Sequence, residues 1–224
     1  MKLMKTIALL FSAVLLLSLN SCSLFDDDDD DINEPDDNGI HIGGEQSTMG
    51  EVGAEVYCYG TLAGVDSASA TVVSLDQGIS TFSGKAIISD PAILNIISNI
   101  PQFTIESGNR VIVSDLKFAV SKEGVESMNP DYPGIIVKYS SEVGDKYPVK
   151  NGIEREVIHK STEEDYYFGW FIIKVIQVEE SPCLIPGISK VVYTANHRFG
   201  IVGVDVTYED NTTASFGITG STEN

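Results

Sequence analysis

The chain has 224 residues and a formal net charge of −19. That length fits one domain or two small lobes, and a hydrophobic content of 42% is enough to build a real core. Without its first 45 residues the chain still carries a charge of −11. Such a surface repels phosphate backbones, which excludes nucleic acid as a partner, and it lacks the basic stripe that holds anionic headgroups.

Residues 1–21 contain Lys2 and Lys5 and no acid, followed by an apolar run over residues 7–19. The run is about 13 residues long, whereas a helix that spans a bilayer needs about 20. It therefore reads as the hydrophobic part of a signal peptide. It ends at Leu19-Asn20-Ser21-Cys22, with an aliphatic residue at −3, a small one at −1, and then cysteine. This resembles the bacterial lipobox, with Asn20 standing where Ala, Ser or Thr is more usual. The resemblance implies cleavage before Cys22, a diacylglycerol on its thiol, and acyl chains such as palmitate that anchor the protein to a membrane. The plain alternative is a secretory signal with an incidental cysteine.

Six aspartates follow: Asp26, Asp27, Asp28, Asp29, Asp30 and Asp31. An acidic run just after a lipidated cysteine resembles the export signal of Bacteroidetes lipoproteins, which implies display on the outer face of the outer membrane. The run also reads as a solvated spacer extended by like-charge repulsion. It lacks the alternating ligands and central glycine of a calcium loop. Polar residues with Pro35, Gly39, Gly43 and Gly44 continue to residue 46, so residues 22–46 read as a disordered lipidated tether.

Residues 47–220 read as a β-rich domain. Val52, Ala54, Val56 and Cys58 share one strand face, with Glu51, Glu55 and Tyr57 opposite. Residues 71–75 and 79–88 pair around Asp76-Gln77-Gly78. Asp66-Ser67-Ala68, in a predicted exposed turn at residues 64–69, resembles the Bacteroidetes O-glycosylation motif, which makes Ser67 a candidate acceptor. Asp90 as N-cap, Pro91 at the first helical position and Ile93, Leu94, Ile97 and Ile100 at helical spacing predict one short helix over residues 90–100. Residues 111–120 alternate, with Ile112, Leu116, Phe118 and Val120 on the apolar face. The break at residues 129–134 is either a long loop or a boundary between two lobes. Residues 166–178 are apolar on both faces and predict one long strand, central to a sandwich or lying under a helix, that buries Trp170 in the core, with a sugar-stacking platform as the other reading of that residue. Residues 188–195 and 201–208 form a hairpin, and a last strand covers residues 213–218. The fold class is all-β: an antiparallel β-sandwich or open barrel with one short helix. It also resembles uncharacterised lipoproteins of the same bacterial group.

The search for chemistry ends mostly in absences. There is no nucleophile elbow, P-loop, zinc-protease helix or paired C-x-x-C. His41 lies in the tether, His159 in a strand and His197 on a turn, a spacing that supports no metal site. Glu163-Glu164-Asp165 and Glu179-Glu180 supply adjacent acids, and a glycoside hydrolase needs two at a set separation. Cys58 and Cys183 form a candidate disulfide, with reduced thiols as the other reading. Tyr57 and Tyr59 share a half-exposed face. The expectation is a non-catalytic surface module, without cofactor or metal, that binds a glycan or an outer-membrane protein partner. A structural or assembly subunit of a surface layer is the alternative, and a glycan-active hydrolase the third reading.

Overall fold

A computed structural model describes residues 41–60, 64–89, 91, 94, 98, 103–130, 132–183 and 187–221. The strands are β1 (Glu55–Gly60), β2 (Val65–Asp76), β3 (Ile79–Ile88), β4 (Phe103–Ile105), β5 (Arg110–Val120), β6 (Gly124–Ser127), β7 (Gly134–Lys138), β8 (Lys146–Pro148), β9 (Glu154–Lys160), β10 (Tyr166–Phe168), β11 (Phe171–Ile173), β12 (Ile176–Glu180), β13 (Ile188–Asn196), β14 (Gly200–Tyr208) and β15 (Thr213–Ser221). The domain is all-β, as its alternating pattern predicts. One antiparallel sheet runs in the order β7-β6-β5-β3-β2-β1-β15-β14-β13-β12-β9-β8, with β4 on the side of β5. It curls into a nearly closed barrel that brings β7 round to β8. Two meanders, β1 to β7 and β8 to β15, are joined where the first and last strands pair, with Tyr59 opposite Gly217.

One apolar cluster fills the interior, from Val56 and Phe82 through Phe118 and Ile136 to Tyr193 and Phe216. The break predicted at residues 129–134 falls between β6 and β7, which pair in this one sheet with Ser127 opposite Gly134. The turn between β2 and β3 is Gln77-Gly78, both at positive φ, the backbone that a tight two-residue hairpin demands. The β13–β14 turn is held by Asn196, whose Oδ1 accepts from the backbone N–H groups of Arg198 at 2.8 Å and Phe199 at 3.0 Å.

Four expectations are corrected in detail. Simple alternation put Ile112 in the core, but β5 carries an extra residue opposite Phe82–Gly84, and Asp115 sits at φ +63°. The bulge shifts the phase, so Val111 and Val113 point inward before it and Leu116, Phe118 and Val120 after it. Ser67 lies in β2 and not in a turn, although it is exposed. The part of the tether at residues 41–46 is packed as a strap against β6. Ile42 is buried, Gln46 bridges to Ser121, and Lys122 pairs with Glu45. Of the helix predicted over residues 90–100, Pro91 and Leu94 have helical backbone, and the Ser98 N–H donates to the Leu94 carbonyl at 3.0 Å. Its other residues lie outside the described ones, as do residues 1–40. The fourth correction, at residues 166–178, shapes the candidate site.

The seam between β7 and β8 is crossed by side chains. Arg155 on β9 is fully buried and donates through Nη1 to the carbonyls of Gly134 at 3.1 Å and Ile135 at 2.7 Å on β7. Its Nε donates to Glu180 Oε2 at 2.8 Å, and both side chains of that ion pair are buried. Tyr132 donates its hydroxyl proton to the same carboxylate oxygen at 2.7 Å, so the Tyr193 hydroxyl donates to Tyr132. The guanidinium lies 4.7 Å from the Tyr132 ring centre, within cation–π range.

Burial, and then the neighbouring Tyr193 hydroxyl, pushes Tyr132 well above the ordinary tyrosine range, and burial raises Tyr193 as well. The folded protein thus keeps phenolic protons that the unfolded chain releases near pH 10. Their contribution to stability is present below that value and declines as pH rises through it. The urea midpoint should therefore be lower at about pH 11 than at about pH 8. An equal or higher midpoint at the alkaline pH would contradict this burial.

Candidate functional site

Residues 166–178 form two elements, not one strand. Tyr166–Phe168 and Phe171–Ile173 pair as a small separate hairpin, and β12 starts only at Ile176. Gly169 takes φ +58° at the first position of the two-residue turn, where a hairpin of this length favours glycine. Apolar residues on both faces, read from sequence as a doubly covered strand, serve two other purposes here. The inner face docks on the barrel wall, where Phe168, Ile173 and Val175 pack with Val202, and Phe168 lies 5.0 Å from the Phe199 ring. A bulge opposite Thr194–Ala195 makes Val202 the extra residue of β14, turned outward to receive them.

The opposite face and the tip are bare. Trp170, expected in the core, is 97% exposed; Tyr167 is 80% and Phe171 62% exposed, with Ile172 beside them. Clustered large apolar side chains in solvent are uncommon, whereas single ones are routine. The base of the hairpin is fixed. Ser161 Oγ accepts from the Val175 N–H at 3.0 Å and donates to Asp165 Oδ1 at 2.5 Å, and Asn196 Nδ2 donates to the Lys174 carbonyl at 2.7 Å. Glu163, Glu164 and Asp165 lie exposed at this base. The turn that aims Trp170 outward was legible in Gly169, but the apolar flanks masked it.

The strap occupies the far side of the ring, because β6 and β14 are half a turn apart in the strand order. Glu126 on β6 is buried, and its carboxylate accepts from the backbone N–H groups of His41 at 2.8 Å and Ile42 at 3.1 Å. The His41 ring meets the same carboxylate at 2.6 Å. These groups edge an apolar cleft of about 390 Å³ with Met128, Pro133, Ile135, Pro148 and Val149.

The remaining candidates fall apart in space. Glu180 is sealed beside Arg155, while Glu179 pairs with Lys190 at 3.4 Å. His159 lies 3.5 Å from Asp165, and His197 is exposed on the β13–β14 turn. Among the described residues, no three of His, Cys, Asp and Glu gather as a metal site, and no helix is long and apolar enough to cross a membrane. Cys58 and Cys183 are thiols, so the candidate disulfide is not formed, and burial pushes the Cys58 thiol up to about 12. Tyr57 and Tyr59 stand on the exposed face of β1. Cys22 and Asp26 to Asp31 lie outside the described residues. The chain matches no family model, no curated protein and no solved structure.

Trp170 is the single tryptophan, so its emission reports on the hairpin alone. It should emit at the long wavelengths of a solvated indole and be quenched by acrylamide as readily as free tryptophan. Blue-shifted, protected emission would place it in the core after all.

Proposed function

We propose that this chain is a lipid-anchored surface protein whose β-barrel is a non-catalytic binding or accessory module of an outer-membrane system. It contacts a glycan or a protein partner through the β10–β11 hairpin. The observation that carries this reading is the hairpin's division: its inner face is locked to the wall through Phe168 and Ile173, while its outer face offers Tyr167 and Ile172, and its tip Trp170 and Phe171, to solvent. Aromatic residues, Trp and Tyr above all, dominate the energetics of recognition surfaces. The strap supports the same orientation. The chain enters the domain along β6, so the hairpin, half a ring away, faces away from the attachment of the tether.

In the anchoring part of the proposal, the signal segment is cut before Cys22, acyl chains on Cys22 hold the membrane, and Asp26 to Asp31 direct the protein to the cell surface. A role as an assembly subunit gains little from the sheet edges. β7 and β8 are short, and Arg155 holds β7 at the seam, the reverse of a long bare edge that recruits another chain.

One experiment reads both parts. The full chain is expressed in its native host with a photoreactive residue in place of Trp170, or in place of the exposed Val73 as control, and intact cells are irradiated. The proposal predicts an adduct from position 170 and none from 73, and a digest of the same protein should contain an N-terminal Cys22 peptide carrying acyl chains. No adduct at 170 would refute the hairpin's role, and an unmodified N-terminus elsewhere would refute the anchor.

A further inference from the structure

The wall next to the hairpin has an unusual surface. Gly203 on β14 and Gly217 on β15 are directly paired, and Gly217 also faces Tyr59 on β1. The Tyr59 ring lies flat over Gly217: a Cβ there would fall 2.3 Å from Cε2 and Cζ of the ring and 2.6 Å from its hydroxyl. The Tyr166 hydroxyl covers Gly203 in the same way, 2.8 Å from where a Cβ would stand. Glycine within a strand marks a place where something approaches the backbone closely. Here two tyrosines use that room to lie down on the sheet. Tyr59 remains 53% exposed, so its outer ring face is open. Tyr57 follows two residues along the same face, roughly 7 Å away, and Tyr167 and Trp170 rise from the hairpin that carries Tyr166.

The charges on this wall are of one sign. β1, β14 and β15 contain no Lys or Arg, and they carry Glu55 and Asp205. Asp205 accepts from Ser215 Oγ at 2.5 Å and has lone pairs to spare. Flat aromatic faces bordered by carboxylate acceptors suit a ring with axial C–H groups and hydroxyl donors, and they repel sulfate, phosphate and uronate. From this geometry we infer that the outer face of β1, β15 and β14 is a platform for a neutral glycan, with Tyr59 over Gly217 as its stacking floor and the hairpin as its wall. The inference rests on the reading of the hairpin as a contact surface, and adds to it the class of ligand and a second recognition element.

The test uses the full lipoprotein in detergent and titrates it with soluble dextran, mannan and xylan, following the heat of binding, a readout that every variant keeps. Polygalacturonate, heparin and phosphatidylcholine vesicles serve as the competing probes. At least one neutral polysaccharide should bind, and the polyanions and vesicles should not. Tyr59→Ala should weaken that binding about three- to tenfold, the range for one aromatic contact. Gly217→Ala should do the same by forcing the ring off the sheet, with the urea midpoint unchanged; if it does not fold, Tyr59→Ala decides. Polysaccharide binding lost in Trp170→Ala but unchanged in Tyr59→Ala would overturn the platform and leave the hairpin reading standing. Binding of no neutral polysaccharide, or equal binding of polyanions or vesicles, would overturn the glycan, whatever the hairpin proves to touch.

Discussion

Closing the sheet at the β7–β8 seam is the constraint on which the rest of this molecule depends. A twelve-strand path has two free edges, and here they meet without a backbone ladder between them. Arg155 spans the gap, because the fork of the guanidinium bonds in two directions at once: Nη1 to two carbonyls of β7, and Nε to Glu180 on β12. Burying that charge costs several kcal/mol unless it is paired. Burial opposes the charge on Arg155, but Tyr132, Tyr193 and Glu180 outweigh it and hold the guanidinium above its ordinary range. Tyr147 adds a second link at the seam, accepting from the Lys138 N–H at 3.3 Å.

Closure determines what lies opposite what. With β7 held to β8, β6 and β14 stand on opposite sides of the ring, and each takes a segment onto its outer face. β6 takes the incoming strap, whose His41 and Ile42 amides end on the Glu126 carboxylate. β14 takes the β10–β11 hairpin, through the outward Val202. If the seam opened, the two faces would no longer be held back to back. The division of the proposed labour, anchor on one side and recognition on the other, follows from the ring and not from either segment alone.

Much of the barrel was legible in the sequence because period-two alternation and glycine turns are local signals. The pairs flanking Gln77-Gly78 and residues 196–200 are where the pattern puts them. The failures share a cause: each turned on a contact distant in sequence. Residues 166–178 look like a buried strand because an apolar residue that packs on Val202 and one that faces solvent are the same letter. Ile112 was misplaced because a bulge depends on register with β3. Residues 41–46 look like tether because the groups that make them a strap, Glu126 with Ser121 and Lys122, lie far along the chain. Nothing near Arg155 marks it as a pin; its partners come from β7, β12 and the loop before β7.

The most direct test of the pin is residue-resolved hydrogen exchange on the Arg155→Lys variant. Lysine keeps the charge for Glu180 but cannot also fork to the carbonyls of β7. The account predicts that amides of β7 and β8 lose protection by at least about tenfold, the scale of a lost charged hydrogen bond, while β1–β15 and β13–β14 amides stay protected. Unchanged protection at the seam, or a loss spread evenly round the barrel, would contradict it.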